Sequence, residues 1–95
     1  MNDKLGARRQ AEIVEVQLLD VLAQVEAVLR HGRELQREAL RVRGVPSPAD
    51  ATSRRAASAS IRDRVEQMHG DCMTLCRVVD ELRVSAHEFD RLIGT

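Results

Sequence analysis

Aromatic side chains are all but missing: of 95 residues only Phe89 is aromatic, and there is no Trp or Tyr. That removes the residue types that stack nucleobases or line small-molecule pockets. Net charge is missing too, since fifteen basic residues balance fifteen acidic ones. Attraction to nucleic acid or to a membrane surface therefore does not follow from the total. Cysteine is limited to Cys72 and Cys76, one helical turn apart and poorly placed to pair with each other, so both read as reduced thiols. No stretch combines bilayer length with freedom from charge: residues 13 to 29 are mostly apolar, but Glu15, Asp20 and Glu26 interrupt them. The charged segment Met1 to Gln10 has no apolar run leading to a cleavage site, so no cleavable signal peptide is expected. The reading is a cytoplasmic chain, whose export, if any, would be independent of a signal peptide.

What the chain does contain is heptad periodicity. Ile61, Val65, Met68, Cys72, Leu75, Val79, Leu82, Ala86, Phe89 and Ile93 follow one another at steps of four and three. A matching ladder runs through Ala11, Val14, Leu18, Val21, Val25, Val28, Gly32, Leu35, Ala39 and Val42. Each is the pattern of an amphipathic helix built to lie along another helix. The segment between them is rich in Pro, Ser, Ala and Arg, which predicts an all-α, coiled-coil-like antiparallel helical hairpin. The expected layout is a single domain over 1–95, with a helix over about 7–43, a turn over about 44–47 and a helix over about 48–93. In that register Val21 and Val25 lie near Cys72 and Met68.

The boundaries follow from local chemistry. Met1 to Leu5 are expected to fray, with Gly6 a weak point before the first helix. Gly32 sits on the ladder and implies either close approach of the second arm, through small residues such as Ala56 to Ser60, or a bend. Arg41 and Arg43 suit the negative end of the first helix, Gly44 can take the left-handed C′ conformation, and Pro46 forbids continuation. Ser47, Pro48 and Asp50 read as N-cap, N1 and N3 of the second helix. An alternative leaves residues 44 to about 53 as a loose loop.

Three sets of residues are candidates for function. His69, Cys72 and Cys76 are the only clustered metal-binding side chains, and thiolate with imidazole suits zinc or copper(I). Only three ligands are local, so the favoured reading is packing, with Cys72 in the seam, no metal and no cofactor; a metal- or redox-responsive helical regulator is the alternative. His31 and His87 are isolated and read as solvated or rim histidines. No spacing suggests a nucleophile with a base, so no enzyme is expected. The second set is basic. Residues 30 to 64 hold nine basic and four acidic side chains, which concentrates charge near the turn at Arg37, Arg41, Arg43, Arg54 and Arg55. Pairing with Glu34, Glu38 and Asp63 is the simplest account. An anion- or nucleic-acid-binding tip is the alternative, and the missing aromatics argue against nucleic acid.

The third set is apolar. Ile13, Val16, Leu19, Leu22 and Leu29 fall outside the ladder of the first helix, and one antiparallel helix covers only a seam. A protein-interaction module is therefore expected, partnered by itself as a homo-oligomer or by another helical protein. Pairing two hairpins into a four-helix bundle or a larger helical oligomer would cover the strip.

The run Val79-Asp80-Glu81-Leu82-Arg83-Val84-Ser85-Ala86-His87-Glu88-Phe89-Asp90 is similar to the Leu-Arg-x-x-Ala-x-x-aromatic end of second helices in WXG100 (ESAT-6-like) proteins of type VII secretion. Arg43-Gly44-Val45 stands where that family has Trp-x-Gly, and no Tyr-x-x-x-Asp/Glu signal follows Phe89. The Pro46-Ser47-Pro48 turn also resembles that of type III secretion needle subunits. Both resemblances imply a small helical subunit, substrate or chaperone of a bacterial secretion system that packs against copies of itself or a partner.

Overall fold

The computed structural model describes residues 3–44 and 51–94, and every described residue except Gly94 is helical. Helix α1 spans Asp3–Gly44 and α2 spans Ala51–Ile93, which makes the chain an all-α helical hairpin. Helices of 42 and 43 residues are about 63 and 65 Å long at 1.5 Å per residue.

Helix α1 begins earlier than the expected start near residue 7 and runs through Gly6. One mid-helix glycine costs only about 1 kcal/mol, too little to stop a helix otherwise free of breakers. The left-handed C′ assigned to Gly44 does not hold: Gly44 is the last helical residue, and no described glycine has positive φ. The expected cap at Ser47, Pro48 and Asp50 lies outside the described residues. Thr52 and Ser53 are already helical, so the loose-loop alternative does not extend that far.

The chain divides into two compact units, Met1–Val25 with Met73–Thr95, and Glu26–Cys72. Within each, a stretch of α1 lies alongside a stretch of α2. In the first, Gln10 Nε2 donates to the Ser85 carbonyl at 2.9 Å. In the second, His31 Nδ1 pairs with Asp71 Oδ2, and Arg64 reaches Glu34 at 3.6 Å. Within this second unit the α2 partner falls from Asp71 to Arg64 as the α1 partner rises from His31 to Glu34, so the pairing is antiparallel.

The seam is half of the expected one. Val14, Val21, Val28, Leu35 and Val42 on α1 are half-buried as expected, and so are Ile61, Met68, Leu75, Leu82 and Phe89 on α2. The accompanying strip of α1 is split: Val25 and Gly32 are half-buried as expected, while Ala11, Leu18 and Ala39 are exposed. That of α2, Val65, Cys72, Val79, Ala86 and Ile93, is exposed throughout. Their places are taken one residue earlier, by Gln10, Gln17, Gln24, His31 and Glu38 on α1 and by Arg64, Asp71, Val78, Ser85 and Leu92 on α2. Helix α2 is thus rolled by one heptad strip, about 51°, and α1 by less, since Val25 and Gly32 stay half-buried beside Gln24 and His31. The physical reason is mutual satisfaction: the polar strips meet each other, and Gln10 finds Ser85 as His31 finds Asp71. Polar groups that pair lose little by facing inward.

Two further expectations change, one with the roll and one with the offset of the helices along their axes. Cys72 is exposed and not a seam residue. Met68, expected near Val25, has its terminal methyl 3.4 Å from where a Gly32 Cβ would stand, seven residues further along α1. The small residues Ala56 to Ser60 are accordingly not what Gly32 faces.

Candidate interaction surface

No described hydrophobic residue is buried, and Ser85, at 9% exposure, is the sole described residue that is. A hairpin has a seam and no interior, so its aliphatic side chains are shared between that seam and the surface. Leu18 is 45% exposed although it stands on the original ladder, and Leu22 and Leu29, one strip further round, are 50% and 51% exposed. On α2, Val65, Val79 and Ile93 are exposed to a similar degree.

Helical geometry places these residues. Going round α1 in heptad strips, the order is the Gln10 strip, the Val14 strip, the Leu18 strip and then the Leu22 strip. Round α2 the order is the Ser85 strip, the Leu82 strip and then the Val79 strip. Because the helices are antiparallel, these two sequences turn in opposite senses. In the unit Met1–Val25 with Met73–Thr95, Gln10 and Ser85 therefore meet at one edge of the seam, and Leu18, Leu22, Val79 and Ile93 share the other. The unit Glu26–Cys72 repeats the pattern by itself, with His31 and Asp71 at the polar edge and Leu29, Val65 and Cys72 on the strips beyond the apolar one.

The remaining predicted interface residues lie elsewhere. Ile13, Val16 and Leu19 are 46%, 59% and 60% exposed, Ile13 on the strip beyond the polar edge of the seam and Val16 and Leu19 on the far side of α1. Ile13 and Val16 join Arg9, Glu12 and Gln17 around an open groove of about 500 Å³. The five expected residues thus form two patches on different sides of one helix.

The polar seam was not foreseen, and it holds one defect. Gln17 Oε1 is buried without a hydrogen-bond partner. One heptad along from the Gln10 and Ser85 pair, Gln17 sits between Val78 and Ser85 in register; valine has no donor. His31, read from the sequence as a solvated or rim histidine, is at the rim: half-buried at the edge of the seam, with its side chain and that of Asp71 each 18% exposed. The signal lay in the sequence as a polar heptad, Gln10, Gln17, Gln24, His31 and Glu38, beside the aliphatic one.

The basic tip is neutralised in part within the chain. Arg41 forks onto both oxygens of Glu38, and Arg64 pairs with Glu34. The Arg41 hydrogen bonds draw the Glu38 carboxyl down to about 2; burial opposes this, while the Ser60 hydroxyl and the charge of Arg64 assist. Arg41 is raised in turn by the same contact. Arg37 lines the same shallow groove as Glu34, Glu38, Arg41 and Arg64. Arg43 and Arg55 are exposed, and Arg54 borders a second open groove with Val42, Ala57, Ser58, Ile61 and Arg62.

His69, Cys72 and Cys76 are all exposed, and among the described residues no group of three or more His, Cys, Asp or Glu side chains is placed to hold a metal ion. Among the same residues no helix is long and apolar enough to cross a membrane. No protein family, curated protein or solved structure matches the chain.

Proposed function

We propose that this chain is a small non-catalytic protein-interaction module that assembles with copies of itself through the exposed apolar edge of the hairpin. One observation supports it above the others: a hairpin without a buried hydrophobic residue among those described leaves Leu18, Val65, Val79 and Ile93 exposed beside its seam and Leu22 and Leu29 exposed on the next strip of α1. Fully burying a Val, Leu or Ile side chain is worth about 1.5–3 kcal/mol, so completing the burial of a half-exposed one is worth about 1 kcal/mol. A second hairpin laid on this edge would complete a four-helix bundle and leave the polar seam facing water. A role as subunit, substrate or chaperone in a bacterial secretion system is what the sequence resemblance adds to this reading.

Light scattering and analytical ultracentrifugation on the purified chain provide the test. We expect a species larger than the monomer at tens of micromolar, shifted to monomer by Leu22→Glu/Leu29→Glu with helix content retained. A chain that stays monomeric throughout that range would refute self-assembly. Aggregation relieved only by co-expression with another helical protein would replace the second copy by that partner.

A further inference from the structure

We infer that the open groove at the start of α2 docks an acidic amphipathic helix of another protein. Val42 of α1 and Arg54, Ala57, Ser58, Ile61 and Arg62 of α2 line it, around a space of about 500 Å³. All six residues lie in the unit Glu26–Cys72. The inference stands on this groove and does not depend on self-assembly.

A second groove of the same unit supplies the contrast. There Arg41 and Arg64 are matched by Glu38 and Glu34. The groove at Arg54 has no carboxylate in its lining. Among the described residues Arg54, Arg55 and Arg62 form no ion pair, not even with Glu66 one turn beyond Arg62. Its occupant must therefore bring negative charge. It must bring apolar surface as well, because Val42, Ala57 and Ile61 between the arginines are only half-buried. Shape then selects a helix. Small ligands occupy sites that enclose most of their surface, which an open groove does not do, and a flat bilayer would leave the hollow unfilled. A helix fills such a groove with side chains at three- and four-residue steps. Arg54, Ser58 and Arg62 follow one another at steps of four, so the two arginines stand about 12 Å apart along α2, with the small Ala57 and Ser58 between them. That leaves room for one large aliphatic side chain. Carboxylates about two turns apart on the incoming helix would then reach both guanidinium groups.

Fluorescence anisotropy with the full chain and a labelled, end-capped helical peptide provides the test. The peptide carries one leucine strip flanked by glutamates about two turns apart, and its twin has lysines in their place. We expect the glutamate peptide to bind, the lysine peptide not to, and the affinity to fall as salt rises. Arg54→Glu/Arg62→Glu should weaken the glutamate peptide by roughly tenfold or more and take up the lysine peptide instead. Ser58→Glu, which places a carboxylate one turn from each arginine, should weaken it too. Arg30→Glu/Arg33→Glu makes the same change in net charge at exposed positions outside the groove and should bind as wild type does. Circular dichroism on each variant establishes that the helices persist. Equal binding of the two peptides, or an equal loss in Arg30→Glu/Arg33→Glu, would overturn the inference. So would failure of the glutamate peptide to bind; phosphatidylglycerol vesicles bound by wild type and not by Arg54→Glu/Arg62→Glu would then assign the groove to a membrane surface. A chain that binds the glutamate peptide while monomeric at every concentration would refute self-assembly and leave this inference standing.

Discussion

Replacing Gln17 by Leu should stabilise the fold, and the size of the gain can be worked from the seam. Gln17 Oε1 is buried with no partner, and an unsatisfied buried acceptor costs about 1–3 kcal/mol. Leu brings no such group. It also places an aliphatic side chain next to Val78 at a half-buried position, where about half of the 1.5–3 kcal/mol for full burial is available. Intrinsic helix propensity is close for the two residues, so it drops out of the comparison. Allowing for an unfolded chain that already hides part of its apolar surface, the net gain is about 1.5–3 kcal/mol. At roughly 4–8 °C per kcal/mol for a domain of this size, the midpoint should rise by about 10 °C. The matched control is Gln10→Leu, which gains similar contact but loses the 2.9 Å bond to the Ser85 carbonyl and should be nearly neutral. Both are read by urea and thermal unfolding followed by circular dichroism, at one protein concentration so that assembly does not move the midpoint. If Gln17→Leu gains nothing while Gln10→Leu gains, the seam does not hold the polar edge described here and the rolled register is wrong.

Gly32→Ala should stabilise by up to ~1 kcal/mol in the same unfolding assay, because the added Cβ meets only the flexible methyl of Met68 at 3.4 Å, and destabilisation would mean that the arms lie closer than they do here. Acid should weaken the helices through Glu38 and Glu88, whose carboxyls are lowered mainly by hydrogen bonds from Arg41 and Arg91. A depressed folded-state value contributes stability that is complete above the ordinary 4.5 and lost as pH falls; for Glu38 the loss runs down to about 2. The helicity difference between wild type and Glu38→Gln should therefore shrink over that window, and carboxyl NMR shifts should place the Glu38 midpoint well below 4.5. Cys72→Ala should change the stability of the monomer by less than about 0.5 kcal/mol, as for other exposed positions, whereas a cost of a few kcal/mol would return Cys72 to the seam.

The middle strip of each helix was legible in the sequence, because Val14 to Val42 and Ile61 to Phe89 are aliphatic or thioether at every heptad step except the final aromatic. The flanking strip was not, and the reason is physical. Residue hydrophobicity ranks Leu18 above Gln17 and Val79 above Ser85, which favours the outer ladder on each helix taken alone. Whether a polar strip can face inward depends on what stands across from it: Gln10 is acceptable because the Ser85 carbonyl is there, and His31 because Asp71 is. Those are properties of pairs far apart in sequence, and no single-helix periodicity contains them. The misplacement of Cys72 descends from that one strip, whereas the partner of Gly32 reflects how far the two helices are offset along their axes, which periodicity does not carry. Arg41 with Glu38 is three residues apart on one helix and was readable as a local pair.

A polar seam and an apolar outer edge divide the work of specifying this molecule. Hydrogen bonds between half-buried partners contribute modestly to stability, but shifting α2 by one heptad would leave Gln10, His31 and Asp71 without the partners they have now. Such a seam is selective about register and direction. Aliphatic strips act in the opposite way, since Leu18, Val65 or Val79 lose little when a neighbouring valine is exchanged for a leucine, and they supply most of the energy of any helix contact they make. On the proposed self-assembly, the selective contacts lie within the chain and the undiscriminating ones between chains, so the hairpin would fix its own register before it associates. Association would then complete the burial that one hairpin alone leaves half done, and the unfolding midpoint should rise with protein concentration through ordinary mass action.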